Sequence, residues 1–161
     1  MIDRGGMHPT RLAELDVRTL APELLAYFTR RLDDREDAAD ALSETLIVLW
    51  RKGLPSEDED KRRYAFGVAR KVLLTARRGR LSRLRLSDRL RTELREKVHA
   101  APDLELREAL STLGERDQEL VLLVAWEGFG VAEAGAVLGL RPAAARARYS
   151  RARARLRAAL T

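Results

Sequence analysis

Positions 141–161, RPAAARARYSRARARLRAALT, hold seven arginines and no acidic residue. A helix that only has to stay in water usually mixes both signs, because i,i+4 Glu–Arg pairs stabilise it and like charges do the reverse. An acid-free helix points instead to a polyanion, with duplex DNA the first candidate. Ala145, Tyr149, Ala152 and Leu156 recur at spacings of 4, 3 and 4 and predict a buried face. Arg141, Arg146, Arg148, Ser150 and Arg151 fall outside that face. Pro142 stands where a first helical turn tolerates it.

Just upstream, EGFGVAEAGAVLGL reads as a short helix over about 131–138 with Gly139 at a turn. Two short helices joined by a tight Gly turn predict a helix-turn-helix. In that motif the second helix enters a major groove about 12 Å wide, its N-terminal residues meet base edges, and flanking arginines meet phosphates. Leu104, Leu106, Ala109, Leu110 and Leu113 predict a further helix ended by Gly114, and Leu120, Val121, Leu123, Val124 and Trp126 another. Gly135, inside the first motif helix, should cost up to about 1 kcal/mol relative to Ala.

Charge is sorted along the rest of the chain. Residues 1–60 hold 8 basic and 14 acidic groups, 61–92 hold 12 and 1, 93–140 hold 4 and 10, and 141–161 hold 7 and none. Arg outnumbers Lys 27 to 4, which a GC-rich coding sequence would produce by itself. Codon bias does not sort charges by position, so the segregation carries the argument. It implies two anion-binding surfaces and two faces with another purpose.

Cysteine is absent, which removes disulfides, thiolate metal sites and thiol nucleophiles. His8 and His99 are isolated, with no ligand partner nearby, and no Gly-rich phosphate loop occurs. The expectation is a protein with no enzymatic activity, no metal and no cofactor. No apolar run approaches the roughly 18–20 residues that span a bilayer, and there is no signal-peptide pattern, so a soluble cytoplasmic protein is expected.

Residues 1–10 contain Gly5, Gly6 and Pro9 and little periodicity, and Met7 offers an alternative start. Residues 10–32 predict one or two helices, with Pro22 at a first-turn position. Asp34 can cap the next helix, Arg35 to Lys52, whose apolar face is Ala38, Ala41, Leu42, Thr45, Leu46, Leu49 and Trp50. Trp50 is therefore read as core. Asp37, Asp40 and Glu44 form a second stripe, which periodicity alone reads as a solvated face. Residues 53–60, GLPSEDED, predict a loop, followed by a helix from about Lys61 to Arg78. In that helix Arg62, Tyr64, Phe66, Arg70, Lys71, Arg77 and Arg78 mix basic and aromatic groups. Such a mixture suits unstacked bases, although either ring could instead pack in a core. Residues 80–103 change character and contain a domain boundary.

The expected architecture is all-α, two small helical domains joined by a linker, the second a four-helix unit containing the helix-turn-helix. Its boundaries are a leader at 1–19, a first domain at 20–80, a linker at 81–103 and a second domain at 104–161.

Two separate stretches carry a family resemblance. DREDAADALSETLIVLWR (34–51) and RRYAFGVARKVLL (62–74) lie in the first domain; LSTLGERDQELVLLV, EGFGVAEAGAVLGL and SRARARLR lie in the second. Together they resemble the extracytoplasmic-function sigma factors, group IV of the bacterial sigma-70 family. The resemblance covers about 20–80 and 104–157 and implies a subunit that gives RNA polymerase its promoter recognition and initiation. It implies that Asp37, Asp40, Glu44, Thr45 and Arg51 dock on the β′ clamp helices of core polymerase, with the β flap a further contact. Loop 53–60 and Tyr64 would capture a flipped base of the melted −10 element, and Arg62, Arg70, Lys71, Arg77 and Arg78 would hold DNA beside it. Arg141, Arg146, Arg148, Ser150 and Arg151 would bind the −35 duplex, and an anti-sigma protein is a candidate partner.

This chain departs from the family in places. Tyr64 stands where Trp is frequent, Lys71 where Asn is, and Ser43 where Gln is. The usual Glu-Gly-Thr-Val-Lys-Ser-Arg of the reading helix is Pro142-Ala143-Ala144-Ala145-Arg146-Ala147-Arg148, which loses two hydroxyls. The competing reading is a stand-alone helix-turn-helix regulator that binds duplex DNA as a dimer. It would leave the first domain and its acidic stripe without a purpose.

Overall fold

The computed structural model describes residues 9–83 and 104–161, and every regular element among them is a helix. They divide into two units at Arg77/Arg78.

In the first unit, α1 (Pro9–Arg31), α2 (Arg35–Lys52) and the part of α3 (Asp58–Arg83) up to Arg77 share one core. Leu20, Leu24, Tyr27 and Phe28 of α1 are buried, as are Ala38, Ala41, Thr45 and Leu49 of α2 and Ala65, Phe66, Ala69, Val72 and Leu73 of α3. The rings pack edge to face, Tyr27 with Phe28 at 5.3 Å and with Phe66 at 5.4 Å between centroids. That geometry sets the positive edge of one ring against the negative face of the next. Phe66 is thereby a core residue.

The bounds of α2 coincide with the sequence expectation, for local reasons. Asp34 Oδ1 accepts from the Glu36 N–H at 2.8 Å, and Gly53, at φ 75°, donates its N–H to the Leu49 carbonyl at 2.8 Å. Other bounds differ. One helix runs from Pro9 through Pro22, so residues 9–19, expected as leader, are instead the opening turns of α1. Pro22 lies on the exposed side, where the hydrogen bond it forfeits is lost next to water.

Helix α3 begins at Asp58 rather than Lys61. Asp58, Glu59 and Asp60 form its first turn, where negative charge complements the helix dipole. Lys61 then reaches back to Asp58 at 3.3 Å and across to Asp16 of α1 at 3.6 Å. Burial pulls the Lys61 amine down, but its contacts with Asp58 and Asp16 outweigh that and hold it above the usual lysine value. At its far end α3 runs on to Arg83, through Gly79. Of the expected linker 81–103, residues 84–103 lie outside the described residues.

Trp50 is not in the core. It is 51% exposed and Ile47 50% exposed, because the buried line of α2 runs through Ala38, Ala41, Thr45 and Leu49, and Trp50 falls a third of a turn away.

The second unit consists of α4 (Leu104–Ser111), α5 (Glu115–Ala125), α6 (Val131–Val137) and α7 (Pro142–Leu160). Leu110, Leu113, Val121, Leu122 and Ala152 form a buried cluster, with Leu106, Tyr149 and Leu156 packed against it. Trp126, expected on the apolar face of α5, instead ends that helix at 43% exposure. Gly139 makes the turn between α6 and α7 at φ 73°, a backbone conformation that L side chains rarely adopt. The Leu140 N–H returns to the Gly135 carbonyl at 2.8 Å, closing α6. Gly135 is buried, and a Cβ there would overlap the Cβ of Ala145 on α7. The glycine that weakens α6 as an isolated helix is what lets α7 approach it.

Candidate nucleic-acid interface

Helix α7 packs one line of residues inward. Ala145 and Ala152 are fully buried and Tyr149 and Leu156 half-buried, as the 4, 3, 4 spacing predicts. On the opposite side Ala143, Ala147, Ser150 and Ala154 run along the helix, all exposed. Arg146, Arg151, Arg153, Arg155 and Arg157 are exposed to either side of this line. The outward surface is therefore a low strip of methyl groups between rows of guanidinium groups. Such a relief lets the backbone approach a groove floor while charge faces the phosphate walls.

Not every arginine of α7 shares that surface. Arg148 is half-buried, and its Nη1 donates to Asp117 Oδ1 of α5 at 2.8 Å. The pair spans 31 residues, so no local spacing in the sequence reveals it. Arg153 lies over the Tyr149 ring at 5.8 Å, a cation–π contact that orients it along the helix. Arg141 precedes the first turn as N-cap and makes no side-chain capping bond.

On α3 the residues expected to meet DNA separate into groups. Tyr64, Lys71 and Arg78 recur every seven residues and share one line, and Arg70 and Arg77 share the adjacent one. Lys71 and Arg78 are exposed, whereas Tyr64, Arg70 and Arg77 are half-buried. Arg62 lies on the packed side instead. Its Nε donates to Glu23 Oε2 of α1 at 2.9 Å, and its guanidinium stands 5.2 Å from the Phe66 ring centroid. The geometry makes Arg62 a strut between α1 and α3.

On α2, Asp37, Asp40, Glu44 and Arg51 recur at spacings of 3, 4 and 7 and share the face away from the core. Asp40, Glu44 and Arg51 are exposed and Asp37 is half-buried. Ile47 completes the line between Glu44 and Arg51, an exposed apolar residue between charges of opposite sign. Thr45 does not belong to it. Its side chain is fully buried, and its Oγ1 donates to the Ala41 carbonyl at 2.7 Å. The signal was present in the sequence, since Thr45 keeps the spacing of Ala38, Ala41 and Leu49. Sequence reasoning missed Ile47 as a surface residue and the Asp117–Arg148 pair.

Among the described residues no group of three or more His, Asp or Glu is placed to hold a metal ion. No described helix is long and apolar enough to cross a membrane.

Comparison with known proteins finds a family model similar to part of the second unit and solved structures similar in fold to most of the chain. Residues 103–156 match the family Sigma-70, region 4. The sigma factor RpoE of Bartonella quintana, solved with the anti-sigma factor NepR, superposes with a TM-score of 0.64 at 20% identity, over 91% of this chain and 95% of that one. CnrH, solved with the cytosolic domain of CnrY, gives a TM-score of 0.61 at 23% identity, over 96% and 90%. No curated protein sequence matches the chain. Residues 103–156 are thus similar to sigma-70 region 4, and the helical fold of the chain as a whole is similar to that of both solved structures.

Proposed function

We propose that this protein is a sigma factor of the extracytoplasmic-function branch, which binds core RNA polymerase in the cytoplasm and directs promoter-specific initiation. The observation that carries this reading is the match of residues 103–156 to sigma-70 region 4, on a helix-turn-helix whose second helix holds no acid. The first unit adds what a stand-alone DNA-binding protein would not need: an acidic outward face on α2 and a basic line on α3, in a fold shared with a sigma factor over 91% of the chain.

In this reading the second unit grips the −35 duplex through α7. Tyr64, Arg70, Lys71, Arg77 and Arg78 meet the separated strands of the −10 element, where stacking on an aromatic ring favours melted over paired DNA. Asp37, Asp40, Glu44, Ile47 and Arg51 face the β′ clamp helices, and the second unit meets the β flap. Arg62 and Thr45 act by holding these surfaces in place. The protein performs no chemistry of its own and uses no cofactor. RpoE of Bartonella quintana was solved with an anti-sigma factor, which makes a protein of that kind a candidate partner here.

The test is association with core polymerase followed by run-off transcription from chromosomal promoter fragments. Association together with defined transcript starts supports the reading. A purified, folded chain that neither binds core nor directs initiation removes it.

A further inference from the structure

Four arginines lie at the half of α7 that would enter a groove, and the fold gives them different tasks. Arg148 is half-buried and held by Asp117 at 2.8 Å. Arg141 precedes the first turn, four residues before the buried Ala145, and so lies above the packed line. Arg151 sits more than a turn beyond Arg146, on the other side of the exposed alanine strip. Arg146 alone is exposed within the first two turns and has no partner among the described residues.

The neighbours of Arg146 sharpen its position. Ala143, Ala144 and Ala147 are exposed and end in methyl groups, so they donate no hydrogen bond. Ser150 offers the next hydroxyl, one turn further on. Direct hydrogen-bond readout by side chains within the first two turns of the helix therefore falls to one guanidinium. Its planar fork matches the O6 and N7 acceptors that guanine alone presents together in the major groove.

We infer that Arg146 is the residue through which α7 reads sequence, taking one guanine by its major-groove edge, and that Asp117 withholds Arg148 from that role. The inference rests on the reading of the chain as a promoter-binding subunit. It adds the base that is read, the residue that reads it and the pair that keeps a second arginine away.

The full-length chain, reconstituted with core RNA polymerase, selects duplexes from a pool randomised across the upstream element. Affinity is then measured for the selected duplex and for a copy whose guanine is replaced by 7-deazaguanine, which keeps base pairing and phosphates but lacks the N7 acceptor. The expected result is one strongly selected guanine and a loss of about five-fold or more on 7-deaza substitution, since a good bidentate pair discriminates by that much or more. Arg146→Ala abolishes the difference between the two duplexes, whereas Arg151→Ala weakens both alike.

The assignment is overturned if no guanine is selected, if Arg146→Ala weakens both duplexes equally, or if Arg151→Ala is the variant that erases the difference. In each of these cases a holoenzyme has formed and bound DNA, so the initiation reading stands. A chain that forms no holoenzyme overturns both.

Discussion

Gly135 of α6 and Ala145 of α7 meet so closely that a methyl group on the first would overlap the methyl group of the second. Helix propensity and packing therefore disagree about this position. Propensity alone says that Gly135→Ala gains up to about 1 kcal/mol. Packing says that it costs about 1–3 kcal/mol, the usual range for an added methyl group in a filled core. We expect packing to win, because both residues are buried and belong to different helices. Thermal melting of Gly135→Ala should show a lower midpoint, and the double variant Gly135→Ala/Ala145→Gly should recover part of it. A higher midpoint for the single variant would show that the two helices separate without penalty.

The outward face of α2 supplies a second prediction. Asp40 and Glu44 are exposed and have no partner among the described residues, so reversing their charge should leave stability within about 0.5 kcal/mol of the parent. Asp40→Arg/Glu44→Arg should nevertheless abolish binding to core polymerase in a pull-down. Unchanged affinity would remove this face from the docking surface.

Salt dependence separates the arginines of α7 from one another. Arg151 is exposed beside the methyl strip, where a phosphate contact is expected. Arg151→Ala should reduce the slope of log K against log salt by about 0.9, the value for one phosphate on duplex DNA. Titration of holoenzyme binding between low and moderate salt measures it, and an unaltered slope would place Arg151 away from the backbone.

Lys61 joins α1 to the start of α3 through Asp16 and Asp58, and these contacts raise its amine above the usual 10.5. A folded-state value raised above the unfolded one means a contribution fully present below about pH 10.5 and lost as pH climbs through the folded value. The difference in melting temperature between the parent and Lys61→Met should therefore be constant from neutral pH to about 10 and shrink above it. A difference that persists undiminished in strong alkali would mean that the Lys61 stem, rather than its charge, ties the two helices.

Where the sequence could be read, the determinants were local. Asp34 and Gly53 cap α2 with atoms a few residues away, and Ala145, Tyr149, Ala152 and Leu156 declare a packed face by spacing alone. Misreadings arose where a residue has two physical uses. Asp58, Glu59 and Asp60 keep a loop in water equally well, yet here they complement a helix dipole. Pro22 normally opens a helix, but α1 passes through it because Leu20, Leu24, Tyr27 and Phe28 are buried on both sides of it in sequence. Trp50 has the bulk of a core residue and the wrong angle on the helix. In the candidate site the exposed arginines were legible one by one. The commitments of Arg148 to Asp117 and of Arg62 to Glu23 were not, since the partners lie 31 and 39 residues away.

The absence of acids from α7 has a mechanical side. Arg151 with Arg155, and Arg153 with Arg157, are like charges one turn apart, and each such pair opposes the helix by a few tenths of a kcal/mol. A polyanion laid along the helix cancels that opposition. The last turns of α7 are thus under an outward electrostatic pressure that a bound polyanion would relieve, so the helix would become stiffer by holding one.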